Sequence, residues 1–164
     1  MDNRLKQLEQ RIAALEVARA TAPLAEPGSL GEAFFALNAL KERVPPPGGA
    51  LYAGSVVLPD GRSVDWQYGR PTAAVLEADW SERASTLAAL GHPVRLRLLR
   101  EIVHGRTSVS ALGELDDLGT SGQIYHHLRQ LTAEGWLHSP ARGTYAVPPT
   151  RVVALLAILV ALER

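Results

Sequence analysis

The side chains with the most informative chemistry in this chain fall between positions 120 and 129, where the sequence reads TSGQIYHHLR. A glutamine such as Gln123 can make two hydrogen bonds to the edge of an adenine, and an arginine such as Arg129 can hold a guanine or a phosphate. Ser121 and the free amides at the start of a helix also suit a phosphate. This run therefore predicts contact with DNA.

A single helix over residues 122–134 is expected to carry these groups. Thr120 or Ser121 is a suitable N-cap, and Gly135 is a suitable C-terminal glycine. The apolar stripe expected to face inward consists of Ile124, Leu128 and Leu131. The side chains expected to face DNA are Thr120, Ser121, Gln123, Tyr125, His126 and Arg129. A hairpin predicted for residues 136–140 and 143–147 adds Arg142 at its tip, within reach of the DNA backbone or the minor groove.

The elements before this helix are also short and regular. Gly91, His92 and Pro93 break one helix and begin the next, which is expected over residues 94–104. Residues 107–109 suit a short strand, and Ser110 suits the cap of a short helix that ends near residue 115. The predicted order is helix, short helix, turn, exposed helix and hairpin. This is the order found in proteins that place a recognition helix in the DNA major groove and a wing beside it.

The motifs in this order resemble the ArsR-type winged-helix repressors. LAALGHPVRLRLLREI, SVSALGEL, SGQIYHHLRQLTAEGWL and the RGTY hairpin stand where that family typically has ALGHPxRLxIL, a helix-turn-helix ending in HHLxxLxxAGL, and a wing. The resemblance covers residues 81–164. It implies a homodimeric, sequence-specific DNA-binding regulator, usually a repressor released by a ligand, with the helices at 80–90 and 151–164 as the dimer interface. Arg95, within GHPVR, is expected to be structural or to contact phosphate.

The last helix has no polar side. Residues 152–162 read VVALLAILVAL, and a helix that is apolar all round must be buried on every side. Packing against a second copy of the chain is the simplest way to bury it, which agrees with the interface that the resemblance implies. The expected dimer contacts on this helix are Val152, Leu155, Leu156 and Leu159.

The first twenty residues show a shorter dimerisation signal. Leu5, Leu8, Ile12 and Leu15 are spaced three, four and three residues apart, which is the pattern of a coiled-coil seam. The pattern lasts about two heptads, fewer than a sustained coiled coil shows. An amphipathic helix packed on its own subunit is the alternative.

Residues 29–70 are expected to form a helix over residues 30–43 and a β-hairpin over residues 51–68. Pro59, Asp60 and Gly61 suit its turn. Six of the nine aromatic side chains in the sequence lie in or next to this region, namely Phe34, Phe35, Tyr52, Trp66, Tyr68 and Trp80. They are expected to form either a pocket for a small organic effector or a small core that holds the hairpin to the helix.

Composition and the absence of known motifs argue against several other classes of protein. The 17 basic and 17 acidic residues balance, so charge alone does not favour nucleic acid, and any DNA affinity should be modest and sensitive to salt. The chain has no cysteine, and its histidines lack convincing ligand spacing, which disfavours a metal sensor. We find no nucleophile motif, phosphate loop or metal cluster. An enzyme and a cofactor are therefore not expected, and without a leader or a membrane-spanning run the protein is expected in the cytoplasm.

The sequence thus predicts an α+β, mainly helical chain in three parts. These are an N-terminal helix with coiled-coil character at 1–20, an accessory helix and β-hairpin at 29–70, and a winged helix-turn-helix domain at 72–164 with a C-terminal dimerisation helix. The expected function is transcriptional regulation through double-stranded DNA, as a homodimeric repressor with a non-metal effector. A winged-helix protein–protein interaction module without direct DNA binding is the alternative, because the neutral charge and the heptads suit it.

Overall fold

The computed structural model describes residues 34–116 and 118–163. Contacts within the chain divide it into two units, with the boundary between residues 48 and 49. In the first unit, the described helix is α1, Phe35–Arg43, and none of its residues is buried. The start of the predicted helix over residues 30–43 lies outside the described residues. So do the predicted N-terminal helix and its Leu5, Leu8, Ile12 and Leu15.

The second unit begins with an antiparallel hairpin, as predicted. Strand β1, Gly49–Val57, pairs with β2, Ser63–Pro71, so that Tyr52 lies opposite Tyr68 and Val56 opposite Val64. Gly61 adopts φ +83° in the turn, a conformation that favours glycine. One face of the hairpin is apolar, and its Leu58 and Val64 are buried in the core.

In the described part of the chain after the hairpin there are seven further helical elements. The first four are α2 (Thr72–Leu76), a 3-10 helix (Trp80–Arg83), α3 (Ala84–Leu90) and α4 (Pro93–Val103). The last three are α5 (Val109–Gly113), α6 (Ser121–Ala133) and α7 (Pro149–Ala161). The chain is therefore α+β and mainly helical, as predicted. Among the described residues, none of the helices is long and apolar enough to cross a membrane.

The core of this unit lies where α4 and α6 pack together. Leu98, Leu99 and Ile102 of α4 share one buried cluster with the predicted inward stripe of α6, which is Ile124, Leu128 and Leu131. Each fully buried leucine or isoleucine contributes about 1.5–3 kcal/mol to folding. Trp136 closes one side of the core and donates its Nε1–H to the carbonyl of Thr86 at 2.9 Å. The orientation of α6 is thus set by its buried side.

The hairpin covers part of the apolar surface of α7. Gly54 of β1 lies so close to this helix that a Cβ atom there would be 2.8 Å from Cγ1 of Val153. Val152, Val153 and Leu155 are buried within the single chain. The structure places the hairpin in one compact unit with the helices from α2 to α7, whereas the sequence grouped it with the helix over residues 30–43.

The predicted short strands around position 140 are reduced to single-residue bridges. His138 and Ala146 exchange backbone hydrogen bonds of 2.9 Å in both directions, and Ser108 is bridged to Thr144. The amide of Tyr145 donates to the carbonyl of Thr107 at 2.8 Å. A bridged loop over residues 138–146 is therefore attached to the chain just before α5.

Candidate nucleic-acid interface

Helix α6 begins with a complete capping box. The Thr120 hydroxyl accepts a 3.4 Å hydrogen bond from the Gln123 amide, and Gln123 Oε1 accepts from the Thr120 amide at 2.8 Å. Gly119 just before the cap adopts φ +83°, a conformation that favours glycine, and a Cβ atom there would meet the Gln123 side chain that completes the capping box. The start of the helix and the turn before it are therefore determined together.

Two predicted contact residues therefore serve the helix itself. Gln123 was expected to read adenine, which requires its amide oxygen to accept from the base. That oxygen already accepts from both the amide and the hydroxyl of Thr120. Position 120 and position 123 also match the threonine–x–x–glutamine signature of a capping box, a signal in the sequence that would have predicted this role.

The solvent-facing side of α6 carries the remaining predicted residues. Ser121, Tyr125, His126 and Arg129 are all exposed, and Tyr125 keeps 41% of its surface accessible. Residues one turn apart lie on the same side of a helix, so Ser121, Tyr125 and Arg129 form one row. The helix contains no acidic residue between positions 121 and 133. This face can therefore approach a phosphate backbone without repulsion from its own carboxylates.

Arg142 stands on a tight and well-tied loop. The carbonyl of Ala141 accepts from the hydroxyls of Ser139 at 2.8 Å and Thr144 at 2.9 Å, and also from the Thr144 amide at 3.0 Å. Gly143 adopts φ +73°. These bonds fix the backbone on both sides of Arg142 and leave its side chain exposed.

Arg95 is structural, one of the two roles expected for it. Its guanidinium donates to the carbonyls of Ala88 and Ala89 at the end of α3, the first at 2.7 Å, and to Gln130 Oε1 on α6 at 2.8 Å. It therefore satisfies the Ala89 carbonyl near the end of α3, adds a bond to the Ala88 carbonyl, which also accepts from the Gly91 amide, and connects α3, α4 and α6. The role of Gln130 as its partner was not predicted.

Three histidines cluster beside the inner part of α6. The ring of His127 lies 4.7 Å from that of His92 and 5.6 Å from that of His126, measured between centroids. His92 caps α4, because its Nδ1 accepts from the Val94 amide. Burial and then the positive charges of His92, Arg95 and His126 lower the pKa of His127. His127 Nδ1 has no hydrogen-bond partner among the described residues.

The six aromatic side chains predicted as a pocket divide between the two units. Phe34 and Phe35 belong to the first unit and are 48% and 69% exposed. In the second unit, Tyr52 and Trp66 pack partly buried against the core, whereas Tyr68 and Trp80 are exposed. Trp80 donates its Nε1–H to the carbonyl of Val75 at 2.8 Å. Tyr52 and Trp66 thus pack the hairpin onto the core of the second unit.

The four dimer contacts predicted on α7 also divide. Val152 and Leu155 are buried inside the chain, so they cannot meet a second copy in this packing. Leu156 is half-buried and Leu159 is 39% exposed. Past them, Val160 and Leu162 are 64% and 73% exposed. The surface left for a partner is therefore the last turn of α7 rather than its whole length.

The part of the chain that the structure describes brings together no group of three or more histidine, aspartate or glutamate side chains that could hold a metal ion.

Comparison with known proteins finds no match: no family model, no curated protein and no solved structure matches the chain.

Proposed function

We propose that this protein is a sequence-specific DNA-binding transcriptional regulator of the winged helix-turn-helix type, with an architecture like that of the ArsR-type repressors. In this proposal, α5 and α6 are the helix-turn-helix and the bridged loop over residues 138–146 is the wing. Helix α6 enters the major groove. The observation that carries the proposal is the acid-free exposed face of α6, held in place by a buried apolar stripe on its other side.

Each exposed group on this face has a chemical role. The first amides of α6 and the Ser121 hydroxyl bind a backbone phosphate, because a helix N-terminus favours negative charge. Arg129 contacts a base edge or a phosphate, and Tyr125 and His126 pack against the sugar and base edges. Arg142 contacts the backbone or the minor groove beside the wing. Gln123 orders the first turn of the helix instead of reading a base.

We propose that the protein acts as a homodimer, as two half-sites on DNA require of a two-fold symmetric reader. The exposed apolar side chains available to a second copy include Trp80, Leu87, Val160 and Leu162. They belong to the same two elements, residues 80–90 and the C-terminal helix, that the family resemblance implies.

Fluorescence anisotropy with DNA selected from a random pool tests the proposal. We expect saturable binding that weakens as salt rises. Because one phosphate contact contributes about 0.9 to the slope of log K against log salt, Arg129→Gln should flatten the slope by about one unit if it contacts phosphate. Tyr125→Ala should weaken binding without this change in slope. Arg70→Gln, which removes an exposed arginine from β2, is the control.

A second candidate is a protein-interaction module without DNA binding. It is favoured by the exposed Phe34 and Phe35 and by the zero net charge. The two candidates separate at low ionic strength, where electrostatic DNA binding is strongest. A folded protein that binds no selected DNA at roughly 20–50 mM salt, where such contacts are strongest, would favour the interaction module.

A further inference from the structure

A groove with leucine and valine walls lies between α4 and α7, away from the exposed face of α6. Its volume is about 320 Å³, within the ~300–1,000 Å³ typical of small-molecule sites. The apolar walls are formed by Leu96, Leu99 and Val103 of α4 and by Leu155, Leu156 and Leu159 of α7. The aromatic pocket predicted from the sequence involves none of these residues.

One rim of the groove is basic. Arg97, Arg100 and His104 line it from α4, and their spacing of three and four residues places them in one row beside the apolar wall. The Arg100 side chain is 69% exposed, and its Nη1 lies 3.5 Å from Oε1 of Glu101. The other carboxylate oxygen of Glu101 lies 3.4 Å from Nε of Arg106. His104 Nδ1 donates to the carbonyl of Arg100 at 2.7 Å, so Nε2 is its available ring nitrogen.

The shape and the charge of the groove favour one kind of occupant. Its apolar walls and its volume of about 320 Å³ suit the apolar body of a small molecule. A small molecule with an apolar body fits it, and the two arginines on the rim complement a negatively charged head group.

We propose that this groove binds an amphipathic organic anion, a carboxylate with an unbranched alkyl body. The carboxylate lies between Arg97 and Arg100, and the alkyl chain lies against Leu156 and Leu159. Each methylene that the groove buries should tighten binding about fourfold. None of the groove residues belongs to the exposed face of α6, so decanoate binding and DNA binding are tested separately, although Leu156 and Leu159 are also predicted dimer contacts.

Titration of the full chain with sodium decanoate, followed by calorimetry and two-dimensional NMR, tests the proposal. We expect one decanoate per chain, with shift changes in α4 and α7. Octanoate, two methylenes shorter, should bind roughly fifteenfold more weakly. The double variant Arg97→Gln/Arg100→Gln should weaken decanoate binding by about tenfold, since each exposed charge pair contributes modestly. Arg70→Gln/Arg83→Gln removes the same charge elsewhere and should leave binding unchanged.

A second test uses the unmodified protein and a ligand of opposite charge. Decyltrimethylammonium has the same body and the opposite charge, so it should bind the wild-type chain much more weakly than decanoate. The proposal is overturned if decanoate does not bind at millimolar concentration, if the cation binds equally well, or if the double variant binds as tightly as the wild type. It is also overturned if the protein is a dimer that Leu156→Gln dissociates and decanoate binds neither form, because a second copy then fills the groove.

Discussion

Arg95 provides the sharpest test of how α6 is held in place. Its guanidinium makes three hydrogen bonds that join α3, α4 and α6, to the carbonyls of Ala88 and Ala89 and to the side chain of Gln130. Replacement by methionine keeps the length and the apolar stem of the side chain but removes every donor. Hydrogen bonds from a charged donor are worth about 1.5–3 kcal/mol when they are sheltered and less when they are exposed. Two of these three are exposed, so we expect Arg95→Met to lower the free energy of unfolding by about 2 kcal/mol.

Urea denaturation followed by circular dichroism measures this change. Arg95→Lys separates charge from geometry: an ammonium keeps the favourable charge at the end of α3 but cannot reproduce the planar fork. We expect it to lose about 1 kcal/mol, between wild type and methionine. Arg97→Met is the matched control, two residues further along the same helix and exposed, and should change stability by less than about 0.5 kcal/mol. If Arg95→Met is no more destabilising than Arg97→Met, the three bonds do not hold the helices together.

Three further predictions concern local structure. Gln123→Ala should cost about 1 kcal/mol of unfolding free energy in thermal melts, since it removes half of a capping box, while Gln123→Glu should retain most of the stability; equal losses would contradict the capping role. Gly54→Ala should destabilise by about 1–3 kcal/mol because its new methyl group meets Val153, and the double variant with Val153→Ala should recover part of that loss. The lowered pKa of His127 means that the unfolded chain takes up the proton first as the pH falls through 6.5. Stability should therefore decrease from pH 7.5 towards lower pH, and a denaturation series in which His127→Gln shows the same pH dependence as wild type would count against this reasoning.

The periodic parts of the fold were predictable because local sequence decides them. The spacing of Ile124, Leu128 and Leu131 indicated the buried side of α6, and all three are buried. The turn at Pro59, Asp60 and Gly61 likewise identified the hairpin, since proline and glycine each favour one backbone conformation in a turn. Element ends were less certain: Ser108, not Ser110, caps α5 by accepting from the Ala111 amide.

The buried and exposed sides of α6 were predictable from the sequence, because the exposed residues alternate with a buried stripe of known period. The capping role of Gln123 was missed, since the same amide group that can read a base can also cap a helix. Arg95 was given two roles, and its partners lie on two other helices, which no local pattern specifies.

The last helix illustrates what a sequence pattern leaves open. A helix that is apolar on every side requires cover, but the pattern does not say whether the cover belongs to the same chain. Here the hairpin supplies it for Val153, and the absence of a side chain at Gly54 makes the close approach possible. Only the last turn, with Val160 and Leu162, is left exposed. The apolar helix α7 therefore has three kinds of surroundings along its length. Part of it is covered by the hairpin, part of it lines the groove beside α4, and its last turn is exposed and available to a second copy.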